Sequence, residues 1–261
     1  MPKAPALWSM SGSGAGLDIS VGNAQINPKS RAWPMKILFV ADLHQRQDWF
    51  EWVARQSTRY EMLAIAGDLQ DAFSDTSMHD QARTISEWLC ALRTPTVVCS
   101  GNHDYWVQDP RCSIDVDAEA AWLRRLRGRG NIVGVDGDCF DINGLCVAVN
   151  GWLQVPRFLG RADVLVTHSP PAGCDCAICD DDQDTGDAEI CSALDVYPPR
   201  LLLAGHVHKP ASLYGYWPMA REGSTLVLVP GFDDTLPSPA HWVIDTEIRE
   251  ARHSNGATVV F

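Results

Sequence analysis

At 261 residues, with 46% hydrophobic and 21% charged side chains, the chain has the composition of a globular protein with a sizeable core, which excludes disorder throughout. A formal net charge of −12 disfavours non-specific attraction to nucleic acid or an anionic membrane surface, so a small anionic substrate needs a local positive charge. No apolar run approaches a membrane span of roughly 18 residues and nine cysteines are scattered along a long chain, so a cytoplasmic protein without a disulfide framework is expected.

Residues 1–34 contain SGSGAG, isolated prolines and little periodicity, and are read as a flexible N-terminal extension; residues 35–261 are read as one domain. From Met35 the text alternates between short apolar strands and amphipathic helices: ILFVA, DWFEWVARQS, MLAIA, QARTISEWLCAL, TVVCS, AEAAWLRRLRG. From Asn131 consecutive strands follow, beginning with FDINGLCVAV, a hairpin turning through Asn143 and Gly144. The strands VLVT, LLLA, STLVLV and HWVID complete the chain, with one helix between Ala188 and Val196. This order predicts an α/β fold of two stacked mixed β-sheets flanked by helices, rather than one doubly wound parallel sheet.

The core strands end on polar residues of one kind. ILFVA runs into Asp42 and His44, MLAIA into Gly67 and Asp68, TVVCS into Gly101, Asn102, His103 and Asp104, VLVT into His168, and LLLA into His206 and His208. The carboxyl ends of strands line the ligand crevice of open α/β sheets, so these groups are expected to converge. Singly, each has an ordinary alternative: a capping aspartate, a turn asparagine, a hydrogen-bonded histidine. Together they form a set of carboxylates, imidazoles and an amide oxygen that suits Mn, Fe, Zn and related dications. Residues two apart on an extended chain point the same way, so DLH and HVH each direct paired side chains into one pocket.

The ordered set DLH (42–44), GDLQD (67–71), GNHD (101–104), TH (167–168) and GHVH (205–208) resembles the calcineurin-like metallophosphoesterase superfamily. The resemblance implies an αββα sandwich and two divalent metal ions, drawn from Mn, Fe, Zn or Ni. One ion would lie between Asp42, His44, Asp68 and His208, the other between Asp68, Asn102, His168 and His206. A bridging Asp68 would set the ions roughly 3.5 to 4 Å apart. Two dications against two carboxylates and one hydroxide leave a formal charge of about +1, which attracts a phosphate ester. The implied mechanism is in-line attack by a metal-bridging hydroxide, with His103 as the leaving-group acid. Asp71 would orient His103 through its other ring nitrogen; a loop-capping aspartate is the equal alternative. Asp104 is expected to support the site rather than react.

GDLQDAF and GNHDYW depart from the arginine and GNHE of the superfamily's protein serine/threonine phosphatases. The stretch THSPPAG, an acidic loop and PPRLLLAGHVH look more like its small single-domain phosphodiesterase-like branches. A small phosphate ester, mono- or diester, is the expected partner, and nucleic acid only as a nucleotide-like substrate. A non-catalytic metal-binding scaffold is opposed by the presence of His103, and a nuclease by the lack of a basic, aromatic-interleaved stripe. Cys174, Cys176, Cys179 and Cys191 supply one CxxC pair, so free thiols in a mobile loop at the pocket mouth are expected over a zinc site. Trp49, Trp52, Trp88 and Trp122 are read as packing residues, and Trp106 and Trp152 as packing with a weaker claim to substrate contact.

Overall fold

The computed structural model describes residues 34–107, 115–116, 120–156, 159–179, 181–209 and 218–261. Residues 1–33, which hold nearly all of the expected extension, lie outside the described residues, as does the side chain of Trp106.

Two mixed sheets carry the fold. In the first, β1 (Lys36–Val40), β2 (Met62–Ala66), β3 (Thr96–Cys99) and β6 (Ile132–Gly134) run parallel. Beyond β1 it continues antiparallel through β13 (His241–Asp245), β14 (Glu250–His253) and β15 (Thr258–Val260). In the second sheet β8 (Leu145–Asn150), β9 (Val164–Thr167), β10 (Leu201–Leu203) and β12 (Thr225–Leu228) are parallel, with antiparallel β7 (Cys139–Ile142) and β11 (Met219–Glu222) at the two edges. A short ribbon pairs β4 (Trp106–Val107) with β5 (Asp115–Val116).

Alternation along each strand assigns its two faces. Ile37, Phe39 and Ala41 join Met62, Ala64 and Ala66 in the layer between the sheets, where Val147, Val164, Val166, Leu203 and Leu228 meet them. Leu38, Val40, Leu63 and Ile65 face the other way, onto Trp49, Phe50 and Val53 of α1 (Gln47–Ser57) and Ile85 and Leu89 of α2 (Met78–Ala91). The outer face of the second sheet is covered by Ile190 and Leu194 of α4 (Ala188–Val196), together with Cys174, Cys176 and Ala177. A one-residue slip in β1 would exchange both buried faces, so the register is fixed from two sides. The outcome is the stacked, helix-flanked pair of mixed sheets expected from the sequence.

Local chemistry sets the element ends. Ser77 Oγ accepts the Asp80 N–H at 3.2 Å to start α2, and Asp187 accepts the N–H groups of Glu189 and Ile190 to start α4. The β7–β8 hairpin turns through Asn143 and Gly144, both at positive φ (49° and 82°), as the Asn-Gly pair predicts. The predicted helix AEAAWLRRLRG shortens to α3 (Ala121–Arg124), and the residues before Ala120 lie outside the described set. After Arg124 the chain makes turns that cross to the sheet edge, with Gly128 N–H bonded to Ile132 O.

The cysteine loop differs from expectation. Cys174 and Cys176 are 1% and 0% exposed, packed into the apolar layer over the second sheet with their sulfurs 3.4 Å apart. Cys179 Sγ pairs instead with Thr185 Oγ1 at 3.2 Å. Apolar burial, which a spacing argument does not weigh, has made these residues core rather than mobile loop. The four helix tryptophans pack as predicted: Trp49 and Trp122 are buried, and Trp88 Nε1 donates to Phe50 O.

No helix among the described residues is long and apolar enough to cross a membrane.

Candidate metal centre

Backbone bonds lace the loop that leaves β1 to the loop that leaves β2, and the loop that leaves β9 to the loop that leaves β10. Asp42 N–H donates to Gly67 O (3.1 Å), His44 N–H to Asp68 O (3.0 Å), Gln45 N–H to Leu69 O (2.8 Å) and Gly205 N–H to His168 O (2.8 Å). Tight turning places Asp42, His44, Asp68 and His206 at φ of 53°, 41°, 51° and 69°. Non-glycine residues in this region are uncommon, and strain of this kind is held where surrounding structure over-determines it. Gly67, at φ 80°, supplies the close approach: a Cβ there would lie 2.5 Å from His168 Nδ1 and 2.7 Å from Gly101 N.

The ligand atoms of Asp42, His44, Asp68 and His208 all lie within 4.8 Å of one another. His44 Nε2 and His208 Nε2 are 3.0 Å apart, and His208 Nε2 is 3.5 Å from Asp42 Oδ1. Beside this group, Asn102 Oδ1 stands 3.0 Å from His168 Nε2 and 2.9 Å from His206 Nδ1. Asp68 touches both groups, with Oδ2 3.4 Å from His168 Nε2 and 3.9 Å from His44 Nε2. Asp42, His44, Asp68 and His208 thus form one close group, and Asn102, His168 and His206 stand beside it on the other side of Asp68.

Second contacts orient the rings. His168 Nδ1 donates to Ala66 O at 2.7 Å and His44 Nδ1 to Gln70 O at 3.3 Å, which leaves each Nε2 facing the carboxylates. The side chains by themselves call for positive charge here. Burial alone would lower the His168 pKa, but the Asp68 carboxylate outweighs it and raises the ring to about 9. Burial pushes Asp68 up, yet His168 and the other rings hold it below the usual carboxylate range. His206 is lowered to about 4 by burial and by His168 beside it, so this ring is neutral at neutral pH. Buried carboxylates kept ionised beside imidazoles and an amide oxygen are donors that fit hard to borderline dications.

Asp104 is fully buried and accepts the N–H groups of Leu69 (3.1 Å), Gln70 (3.0 Å) and Gly101 (2.9 Å). It thus clips the Asp68 loop to the Asn102 loop. Burial and the Asp68 charge raise its pKa to about 7. Trp122 Nε1 donates to Asp104 O at 2.8 Å, tying this clip to α3. Asp136, also buried, performs a similar task one step back by accepting Ser100 N–H (2.8 Å) and Oγ–H (2.6 Å); burial raises it to about 6.

His103 stands at the edge of the centre, with Nε2 4.0 Å from Asp68 Oδ2 and its own N–H donating to Asp68 Oδ1 at 2.9 Å. Its Nδ1 accepts the Ala72 N–H at 3.0 Å, so the ring hydrogen sits on Nε2. Asp71 lies close, sharing a cluster with His44 and His103, but its carboxylate accepts the Phe73 N–H at 2.9 Å. The Asp71 carboxylate thus caps its own loop, while His103 Nδ1 is occupied by the Ala72 N–H.

Two contacts were not legible in the motifs. Phe232 stacks on His208 (4.7 Å, 24°) and meets His44 edge-on (5.4 Å). Trp152 lies 5.0 Å from the His206 ring and 5.6 Å from His168. Each aromatic buttresses a pair of histidines, so Trp152 packs against His206 and His168 rather than against core. Among the described residues the clusters of three or more ligating side chains are the two around His44, and neither contains a cysteine.

The sequence model of the calcineurin-like phosphoesterase family matches residues 35–210. No curated protein matches by sequence. Among solved structures, the chain is similar to the protein TT1561 of Thermus thermophilus, with 14% identity and a TM-score of 0.57 over 85% of this chain and 98% of that one. It is also similar to the purple acid phosphatase PPD1 from yellow lupin (Lupinus luteus) seeds, with 10% identity and a TM-score of 0.50 over 88% of this chain and 53% of that one. At these identities the likeness is one of fold.

Proposed function

The chain belongs to the calcineurin-like phosphoesterase family, and from that premise we propose that it hydrolyses a small phosphate ester with the help of two divalent metal ions. The observation that carries this is the position of Asp68, whose carboxylate faces His168 at 3.4 Å, His44 at 3.9 Å and His103 at 4.0 Å. Asp42, His44, Asp68 and His208 would hold one ion, and Asp68, Asn102, His168 and His206 the other. Bound there, divalent ions neutralise phosphoryl oxygens and lower the pKa of water towards about 7, enough for in-line attack at neutral pH.

The chain's own residues do the rest. Ala66 O and Gln70 O fix the rings of His168 and His44, and Asp104 fixes the spacing of the Asp68 and Asn102 loops. His103 donates from Nε2 to the oxygen that departs, on the side of the centre where it meets Asp68. The net charge of −12 is thereby set against a local positive site, which favours a compact anion over a long polyanion.

The test is hydrolysis of aryl and alkyl phosphate mono- and diesters with Mn²⁺, Zn²⁺ or Ni²⁺ added in turn. Turnover should depend on metal and vanish with chelator; absence of turnover on every ester would overturn the proposal. His103→Ala should lower kcat about 10²-fold or more on an alkyl ester and less on p-nitrophenyl esters, whose leaving group needs little help. Its metal content should stay at the wild-type level.

The two histidines of GHVH make a separable prediction. His206→Ala should weaken chiefly the Asn102 and His168 group, and His208→Ala chiefly the Asp42 and His44 group. A metal titration of each variant should show one binding step displaced and the other retained. Equal displacement of both steps by either variant would show that the groups do not bind independently.

A further inference from the structure

Phe73 is 89% exposed, the most exposed large apolar side chain among the described residues, and it belongs to none of the three apolar clusters. A lone surface phenylalanine is ordinary. This one touches the chemistry: its ring centroid lies 5.5 Å from that of His103 at 73°, and His103 in turn lies 4.7 Å from His44. A line of edge-to-face rings thus runs from solvent to the metal centre.

The loop beneath Phe73 is braced from several sides. Asp71 Oδ1 accepts the Phe73 N–H at 2.9 Å, and the buried Gln81 side chain holds both the N–H (2.8 Å) and the C=O (2.9 Å) of Asp71. Ala72 N–H is fixed on His103 Nδ1, Ser74 N–H on Asp71 O (3.2 Å), and Ser74 Oγ on Gln45 Oε1 (3.0 Å). So many bonds spent on a loop whose tip is an unburied ring give that ring a defined place beside His103. The fold gains no buried apolar area from it.

We propose that Phe73 is the platform of a leaving-group subsite, and that the ester this protein takes carries a planar apolar ring on the oxygen departing at His103. The subsite rests on the phosphoesterase function proposed above. When the P–O bond breaks, the oxygen stays at His103 Nε2, and the group attached to it extends to the outer side of that ring, where Phe73 stands. Asp71 is then a positioning residue that acts through Phe73.

Benzylphosphonate and ethylphosphonate, in which a methylene replaces the ester oxygen of phenyl and methyl phosphate, test this with the full-length, Mn²⁺-loaded protein. Calorimetry should show tighter binding of the benzyl compound, and Phe73→Ala should weaken it about fivefold to tenfold while leaving the ethyl compound unchanged. Phe73→Trp should keep the preference. In turnover, Phe73→Ala should raise KM for phenyl phosphate and leave kcat nearly constant. Absence of a benzyl preference, or its survival in Phe73→Ala, would overturn the subsite even if both esters are hydrolysed. Absence of turnover on every mono- and diester, with the benzyl preference present and lost in Phe73→Ala, would overturn the hydrolase reading and leave an aryl-binding pocket.

Discussion

Gly101→Ala is expected to abolish binding of both metal ions and to destabilise the protein by about 3 kcal/mol, the upper range of overpacking costs. A methyl group at this position would fall on Asp68 Oδ1, 2.5 Å from Asp68 N and 2.8 Å from Asp68 Cγ. Neither partner has room to retreat. Asp68 backbone O is engaged by His44 N–H, and Gly101 is held on both sides by Asp104, through Gly101 N–H to Oδ2 (2.9 Å) and Asp104 N–H to Gly101 O (3.2 Å). The displaced carboxylate is the one that both proposed groups of ligands share, so on that proposal one methyl should empty two sites. Elemental analysis of the dialysed variant and a urea unfolding curve check the two halves. Retention of both ions at wild-type affinity would mean that the β2 and β3 loops are not packed against each other as described.

Asp68→Asn should have the larger effect on activity and a far smaller one on the fold. The amide keeps an oxygen to accept the His103 N–H, now at 2.9 Å from Oδ1, and keeps the shape that Gly101 accommodates. It removes the charge that outweighs burial and raises His168 to about 9, and it leaves a single ligating oxygen where two groups of ligands meet. Turnover should fall at least about 10³-fold, the scale on which removal of a preorganised electrostatic contact is felt. Metal content should drop to one ion or fewer, with the unfolding midpoint close to wild type. Recovery of turnover to near wild type at high metal concentration would show that Asp68 serves one ion only. Set beside Gly101→Ala, this variant separates loss of the ligand from loss of the packing that places it.

Much of this was legible in the one-dimensional text. The runs ILFVA, MLAIA, TVVC, VLVT and LLL became strands because each is apolar on both faces and too short for a helix, and β13 matched HWVID residue for residue. Asn143-Gly144 fixed a hairpin because its positive φ values match strand twist. The ligand residues could be listed because the strands that carry them end in ligand-type side chains and the order of motifs resembles a known superfamily.

Other features depend on what the chain meets in space. AEAAWLRRLRG is amphipathic, yet among its described residues only Ala121–Arg124 is helical, since the turns that follow must deliver Ile132 to the edge of the first sheet. The cysteine loop looked exposed because its neighbours are acidic, but Cys174 and Cys176 fill the layer over β9 and β10. Phe232 and Trp152 escaped notice as supports for the ligand rings because apolar residues carry no ligand signature; only their distances to His208 and His206 reveal the role.

The amino-acid sequence by itself determined β1–β3, β7–β10, β12, β13 and the identity of the groups that meet, because local period and residue chemistry are properties of short segments; the outer strands β6, β11, β14 and β15 it did not mark. Which nitrogen of each histidine faces the centre, which donor occupies His103 Nδ1, and where the Asp71 carboxylate turns were decided only by the tertiary structure. Those choices depend on hydrogen bonds between loops far apart in sequence, such as that from His168 to Ala66 O, 102 residues away, and no local pattern encodes which partner arrives first at a given atom.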